Sequence, residues 1–535
     1  MRGKGWQQFQ DKSVCGVIFL ILAHVLINYI WLRKDTFPLW FDYGCYFKRS
    51  IEIYYSLQTG FVNFFKAVLG TGRYSYSYNP HRFILPLFAV PWYFIMGLNP
   101  DTAVMSCTVF LAIALFSTYA IASRIFDRTT GFLAAFILSV SPGFFTAYRR
   151  FSPEFAVTAM IALTAYLLLR SKNFQNRFYS IFFGISFALC MFTKEIACAF
   201  IFPMLAHALY SAGIIPFSNK HQHRVEKKII GNLTLSLLVP GIMAFLIYWL
   251  HRKTIFNLLF LTAYSSEMRQ LYGMPFAYNM RGLMFFGRTL FTSGILPFYC
   301  VCFFVGVLFC LLKRNSNRGF LFSWLIGSYI ILCSTQTRAF EYAIPLIIPI
   351  AILASYGLNM VGRYGIKRIM LIVFALVWGA VQLYLGTFAA PMVPDWIYYR
   401  NMIVPPGFKS YYPVREDWKL KEAIRYILNN KSKRDGAALV HVGANLYAFS
   451  SVTLSYVAVQ KNAKLNFCGY NASLGDTLSC NFVIIKSGEN QGIFYSYKQM
   501  LELRNALHAS GNFIKLPETF LLPDKSIVEI YKKYI

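Results

Sequence analysis

The sequence contains few charged residues, and acids are the scarcest of them. Only 14% of its 535 residues are charged, with 22 Asp and Glu against 52 Lys and Arg, whereas a typical soluble domain carries about 25% charge. Hydrophobic residues make up 57% of the chain, so the composition is that of a membrane protein. The basic residues lie in short clusters between apolar runs. Because no basic–aromatic recognition motif occurs, we expect no nucleic-acid partner despite the net charge of +30.

The sequence also lacks the spacing patterns of metal sites and of common catalytic motifs. Its eleven cysteines include no CxxC pair, and no His, Cys and Asp cluster has metal-ligand spacing. There is no GxSxG, Walker A, kinase or GxGxxG motif, and no internal repeat. We therefore expect no metal site and no bound nucleotide. Cys468 and Cys480 lie in the polar tail, where a disulfide requires an oxidising compartment.

Apolar runs dominate the first 390 residues. The first, Val14–Leu32, follows the basic residues Arg2, Lys4 and Lys12, exceeds the length of a signal-peptide core and has no cleavage site, so it predicts an uncleaved anchor. Phe83–Leu98 is ambiguous, because it is short and holds two prolines. Without it, the predicted spans number eleven: 14–32, 102–123, 131–147, 155–169, 178–193, 196–212, 229–250, 290–312, 319–333, 342–361 and 369–388.

The distribution of positive charge predicts the orientation of these spans. If Phe83–Leu98 does not cross, 18 basic residues of 1–394 lie in the cytoplasm and 16 outside; if it crosses, the numbers become 12 and 22. The positive-inside rule favours the first topology. The N-terminus is then cytoplasmic, and most acids and the long loops 33–100 and 251–289 lie on the outer face. We therefore expect a multi-pass protein of the plasma or inner membrane with its functional face outside.

The polar tail predicts a second domain. Its pattern alternates between helices and strands, which is typical of a small α/β domain. We therefore divide the chain into a transmembrane domain, residues 1–390, and an extracytoplasmic α/β domain, residues 391–535. The predicted elements of the tail are helices at 418–430, 446–460 and 497–508 and strands at 437–442, 481–486 and 526–531.

Asp42 is the first candidate for chemistry. It lies among aromatic residues a few positions beyond the first span, where a low dielectric raises the pKa of a carboxyl group towards that of a general base. An equally simple interpretation is a solvated acid, or one paired with Lys48 or Arg49.

Two adjacent arginines, Arg149 and Arg150, follow the third span on the predicted outer side. Basic residues there oppose the positive-inside tendency, so the pair suggests an anion ligand, with contact to lipid phosphates as the alternative. Glu154 follows Pro153 at the start of a helix, where it either serves the chemistry or interacts with the helix dipole.

Further charged residues lie at the ends of later spans. Lys194 and Glu195 join two spans without a polar stretch between them, so they form either a functional pair or a structural ion pair. Arg338 precedes the tenth span and either neutralises a phosphate or anchors the helix at the interface. Arg82 follows His81 in the first outer loop and is a further candidate for the same cavity.

The order of these features resembles the GT-C glycosyltransferases, in particular the superfamily of protein O-mannosyltransferases and aminoarabinose (ArnT-like) transferases. The resemblance extends over nearly the whole chain, although each motif is short. Its segments are Asp42 after the first span, the long outer loop with proline-broken helices, Phe126-Asp127-Arg128, Glu154, Thr193-Lys194-Glu195, Arg338 with Tyr342-Ala343-Ile344-Pro345, and Phe520-Leu521-Leu522-Pro523-Asp524 near the end.

The resemblance implies transfer of a sugar from a polyprenyl-phosphate donor to a protein, lipid or glycan acceptor on the outer face, with inversion. Asp42 would be the base that activates the acceptor, and Glu154 would occupy the position of a second acid. The donor phosphate would be bound by Arg149, Arg150, Lys194, Arg338 and Arg82. The implied partners are membrane lipid and the lipid-linked sugar, and no further cofactor or metal is required.

A non-enzymatic transporter or flippase of an isoprenoid-linked substrate is the alternative function. A transporter places ionisable groups in the middle of its spans and opens to both faces. Here the predicted spans are nearly free of charge and the acids lie on one side, which favours the enzyme.

Overall fold

A computed structural model places most of the backbone in helices. It describes the chain apart from residues 1, 40, 72–78, 216–225, 258–275, 277, 314–317, 337, 362–365, 390–412, 433–435, 470–471, 489–491, 493–496 and 535; the side chains of 2–11, 239 and 389 are also outside the description. Parts of both long loops and the predicted domain boundary at 390/391 therefore lie outside the described residues.

The α-helices are numbered here in chain order. They are α1 Arg2–Lys34, α2 Phe41–Gln58, α3 Phe61–Val68, α4 Ile84–Met96, α5 Pro100–Ser106, α6 Thr108–Ile125, α7 Arg128–Val140, α8 Pro142–Tyr148, α9 Pro153–Arg170, α10 Arg177–Thr193, α11 Ala197–Ser211, α12 Lys227–Leu250, α13 Arg252–Phe256, α14 Met280–Leu283, α15 Phe285–Thr289, α16 Pro297–Leu312, α17 Arg318–Phe322, α18 Ser328–Cys333, α19 Ile347–Val361, α20 Ile366–Tyr384, α21 Leu420–Asn430, α22 Ser451–Gln460, α23 Leu474–Ser479 and α24 Tyr497–Ala509. A 3-10 helix covers Phe340–Leu346, and π-helical turns cover Leu290–Gly294, Ser323–Gly327 and Leu385–Ala389.

Six helical stretches of the described chain are long and apolar enough to cross a membrane. A bent pair, α7 and α8, raises the number to seven if it forms one span. Shorter apolar helices occupy four of the other predicted runs. Multiple apolar helices are thus confirmed, whereas the number eleven stays a prediction. The six stretches are Lys12–Lys34, Pro100–Ile125, Pro153–Arg170, Lys227–Leu250, Phe340–Val361 and Ile366–Phe388.

The predicted span 131–147 is not one straight helix. Helices α7 and α8 meet at Ser141 and are bent by 65°. Ser141 is extended, with φ −71° and ψ 124°, and Pro142 starts the next helix. Helical geometry is sterically disfavoured for a residue before proline, which explains the break. The ambiguous segment around Phe83–Leu98 forms α4, whose 13 residues include Pro91; at 1.5 Å per residue it is shorter than a bilayer core.

The chain divides into two units. The first comprises Met1–Ile30, Asn79–Leu85 and Met105–Tyr412, and the second comprises Trp31–Tyr78, Pro86–Val104 and Pro413–Ile535.

Within the first unit, glycines let helices approach closely. Gly306 of α16 and Gly357 of α19 face each other's backbone so tightly that a Cβ at either position would collide with it. Small residues at helix crossings are typical of membrane bundles.

The second unit contains a five-stranded sheet. Its strands are β1 Ala438–Gly443, β2 Leu465–Phe467, β3 Phe482–Lys486, β4 Phe513–Leu521 and β5 Ile527–Lys533. The order is β2-β1-β3-β5-β4, with β1 parallel to β2 and β3, and β5 antiparallel to β3 and β4. The six predicted elements of the tail are each present with shifted ends. Helix α23 and strands β2 and β4 were not predicted.

The two tail cysteines meet beside the central strands. Cys468 follows β2 and Cys480 precedes β3, and their Sγ atoms lie 3.0 Å apart as thiols. Cys480 is buried in an apolar cluster that includes Val483, Leu507 and Tyr531. The sheet thus brings together the two cysteines for which the sequence allows a disulfide in an oxidising compartment.

Candidate functional site

The site in the first unit begins at a break between two helices. Helix α10 ends at Thr193, and Lys194 is extended, with φ −166° and ψ 135°, before α11 starts at Ala197. Lys194 and its neighbour Glu195 are both buried, each with 6% of its surface exposed. Because a buried charge is costly unless it is paired, each of these residues needs a partner from elsewhere in the chain.

Lys194 forms an ion pair with Glu154, at the start of α9. Ser152 caps that helix, since its hydroxyl accepts a hydrogen bond from the Phe155 amide at 3.3 Å, and the same hydroxyl donates to Glu154 Oε2 at 2.8 Å. The ammonium group of Lys194 also lies 4.8 Å from the centroid of the Tyr342 ring. Helix capping, the ion pair and the cation–π contact together fix both side chains.

Glu195 contacts a different part of the chain, His81 and Arg82. Arg82 donates to Glu195 Oε2 from Nη2 at 2.7 Å and from Nε at 2.9 Å, and His81 contacts the other carboxylate oxygen. Burial opposes ionisation of Glu195, but the charges of Arg82 and His81 outweigh it and lower its pKa. Glu195 therefore anchors His81 and Arg82, in the segment that precedes α4.

Arg149 and Arg150 follow the short helix α8. The Arg149 guanidinium donates from Nη2 to the Thr387 hydroxyl at 2.6 Å and lies 4.9 Å from the centroid of the Phe145 ring. Both arginines are more than nine-tenths buried. Arg150, Lys194 and Glu154 each interact electrostatically with Glu341. Two cations, Arg150 and Lys194, and two acids, Glu154 and Glu341, therefore share this part of the first unit.

Arg338 occupies a different environment within the same unit. It is fully buried and donates to the carbonyl oxygens of Cys333 at 2.9 Å and Thr335 at 3.2 Å, and also to that of Gly282. Its guanidinium lies 5.8 Å from the centroid of the Phe286 ring. These bonds hold the turn that leads into Phe340–Leu346.

Asp42 belongs to the second unit, in the first turn of α2. Its side chain is half-buried, and the N-terminal end of a helix favours a carboxylate there. The preceding residue, Phe41, has φ +40°, a left-handed conformation that is rare for an aromatic residue.

The structure therefore pairs Lys194 with Glu154 and Arg82 with Glu195, and it buries Arg149 and Arg150 in the turn between α8 and α9. Sequence reasoning did not identify Thr387, Tyr342 and Glu341 as partners of these residues. Tyr342 is part of the motif quoted after Arg338 and Glu341 is one of the few acids, whereas Thr387 gave no signal. Among the described residues, no three His, Cys, Asp or Glu side chains converge as metal ligands.

Removing one partner of the Lys194–Glu154 pair tests whether the pair stabilises the fold. Lys194→Ala leaves a buried carboxylate uncompensated, so we expect the free energy of unfolding to fall by about 3–5 kcal/mol. Thermal unfolding of the purified protein measures this, with exposed Lys172→Ala as the matched control. The double variant Glu154→Gln/Lys194→Met removes both charges and should recover most of the loss. Equal stability of Lys194→Ala and Lys172→Ala would contradict a paired, buried lysine.

Comparison with known proteins gives one family match, over part of the first unit and part of the second. Residues 87–249 match the protein family described as dolichyl-phosphate-mannose-protein mannosyltransferase. This range includes Arg149, Arg150, Glu154 and Lys194. No curated protein matches the chain.

Solved structures share the fold at low sequence identity. ArnT from Cupriavidus metallidurans is 12% identical in its apo state, with a TM-score of 0.58 over 97% of this chain and 98% of ArnT. ArnT bound to undecaprenyl phosphate is also 12% identical, with a TM-score of 0.59 over 96% and 97%. Arabinofuranosyltransferase AftD from Mycobacteria is 11% identical, with a TM-score of 0.57 over 97% of this chain and 40% of AftD. The chain therefore has a GT-C-like fold, and the family match over residues 87–249 agrees with the resemblance to GT-C glycosyltransferases that the sequence predicts.

Proposed function

We propose that this chain transfers a sugar from a polyprenyl-phosphate donor to an acceptor on the outer face of the membrane, with inversion at the anomeric carbon. The observation that carries the proposal is the buried Lys194–Glu154 pair, with Arg149 and Arg150 buried in the turn that leads into the same helix, all inside the mannosyltransferase-like range. ArnT, which shares the fold, has been solved with undecaprenyl phosphate bound.

In the proposed reaction, cations of the first unit bind the donor phosphate. A bond forms between the acceptor nucleophile and the anomeric carbon as the bond from that carbon to the phosphate oxygen breaks. Negative charge develops on the leaving phosphate, and preorganised Arg and Lys groups stabilise it without reorganising. Asp42 accepts the proton of the nucleophile as general base, and attack opposite the leaving group inverts the centre.

The predicted phosphate ligands form different hydrogen bonds and ion pairs within the chain. Arg149 donates to a neutral hydroxyl, and Lys194 is paired with the Glu154 carboxylate but has three N–H donors, so it can bind a phosphate as well. We propose these two and Arg150 as the main ligands. Arg82 already binds Glu195 and Arg338 donates to three carbonyl oxygens, so we propose that they support the site. Glu154 then holds Lys194 in place.

We further propose the topology that the charge distribution predicts. It has eleven spans, a cytoplasmic N-terminus and an extracytoplasmic domain from residue 391. The transport alternative is not favoured, since the family match and the shared fold both point to glycosyltransferases.

A transfer assay tests the proposed function. Membranes that contain the protein are given polyprenyl-phosphate donors with labelled sugars, and incorporation into endogenous acceptors is followed. Loss of a general base typically costs 10²–10⁴-fold in rate, so we expect Asp42→Asn to reduce transfer by about that factor. Asp417→Asn, at an exposed aspartate of the same unit, should transfer normally. Undiminished transfer by Asp42→Asn would remove Asp42 from the mechanism.

Cysteine labelling tests the proposed orientation. Lys525 of the tail and Lys172 between two predicted spans are both exposed and both have positive φ, 64° and 51°, so the variants Lys525→Cys and Lys172→Cys are closely matched. An impermeant thiol reagent applied to intact cells should label the first and leave the second at the background of the unsubstituted chain. Labelling of the Lys172→Cys variant alone would contradict the proposed topology and indicate the opposite orientation.

A further inference from the structure

The turn that carries Asp42 begins in an unfavourable backbone conformation. Phe41 has φ +40° at the first position of α2. A bulky residue in the left-handed region is strained, and such a conformation persists only where the surroundings hold it. The surroundings of Phe41 therefore control the direction of the first turn of the helix, including its neighbour Asp42.

The side chain that packs on Phe41 comes from the C-terminal sheet domain. The ring centroids of Phe41 and Tyr447 lie 4.9 Å apart at an interplanar angle of 59°. Tyr447 lies in the loop between β1 and α22, and this loop is itself constrained. Asn445 bridges to both Ser450 and Gly492, and Ser450 forms a capping box with Thr453 at the start of α22.

Helix α22 packs against the start of α2 a few residues after Phe41, at Gly44 and Phe47. A Cβ added to Gly44 would lie 2.8 Å from Val452 Cγ1 and 2.9 Å from the Leu39 carbonyl oxygen, so only glycine fits there without displacement. The rings of Phe47 and Tyr456 pack at 5.2 Å, edge to face. The strained turn is thus held from two sides by one rigid loop and helix.

We infer that the C-terminal domain positions Asp42 for catalysis, with Tyr447 as the positioning residue that holds Phe41 in its strained conformation. The inference rests on the proposed function, in which Asp42 is the general base. Loss of the Tyr447 ring lets Phe41 relax and turns Asp42 away from its working direction. The donor phosphate is bound by residues of the first unit, so its binding is unaffected.

Kinetics of the full-length protein separate this positioning role from a general structural one. We expect Tyr447→Ala to lower kcat at least tenfold while KM for the polyprenyl-phosphate sugar stays within twofold. Tyr447→Phe keeps the ring and should retain most activity. Tyr534→Ala removes a tyrosine that is 60% exposed in the same domain and should match the unsubstituted protein.

A double-mutant cycle tests the contact itself. Phe41→Ala and Tyr447→Ala delete the two sides of one interaction, so the double variant should be no slower than the slower single variant. Tyr447→Leu, which retains apolar volume, replaces Tyr447→Ala in the cycle if the latter does not fold. Additive losses, or an unchanged kcat in Tyr447→Ala, would overturn the inference.

The controls distinguish failure of this inference from failure of the proposed function. If the unsubstituted protein transfers no sugar, or Asp42→Asn transfers normally, the proposed function is wrong and the inference with it. If Asp42→Asn is inactive while Tyr447→Ala and Phe41→Ala are fully active, the proposed function stands and the positioning role is overturned.

Discussion

The site depends on two adjacent buried charges, each of which pairs with a residue from a different part of the chain. Lys194 pairs with Glu154 and Glu195 pairs with Arg82, so one break between α10 and α11 anchors both the start of α9 and an early loop segment. Neither charge can be buried alone, because an uncompensated ion in the interior is strongly destabilising. Arg149, Arg150 and Lys194 are all buried in the first unit, and a low dielectric strengthens the interaction of such cations with an anion.

Sequence patterns predicted the parts of this arrangement that depend on local chemistry. Apolar runs gave the helices, and the unusual Lys194-Glu195 step between two spans indicated a charged site. Which acid pairs with which cation could not be predicted, since Glu154 and Arg82 lie 40 and 113 residues from their partners. The bend at Ser141 was missed although Pro142 gave a signal, and strand β4 was missed because its mostly exposed pattern lacks a clear apolar alternation.

The proposed phosphate ligands and the proposed base belong to different units. The ligands lie in the first unit, and Asp42 lies in the second with the sheet domain. At 11–12% identity the likeness to ArnT and AftD establishes the fold and leaves the roles of individual residues to experiment. The packing of Tyr447 on Phe41 gives the C-terminal domain a role beyond its own stability, since it holds the turn on which the proposed base is located.

A structure of this protein with a polyprenyl phosphate bound tests the central claim most directly. The account predicts phosphate oxygens within hydrogen-bond distance of Arg149 and Lys194, with Lys194 shared between the phosphate and Glu154. A phosphate that contacts none of Arg149, Arg150 and Lys194, with the Lys194–Glu154 pair intact, would contradict it.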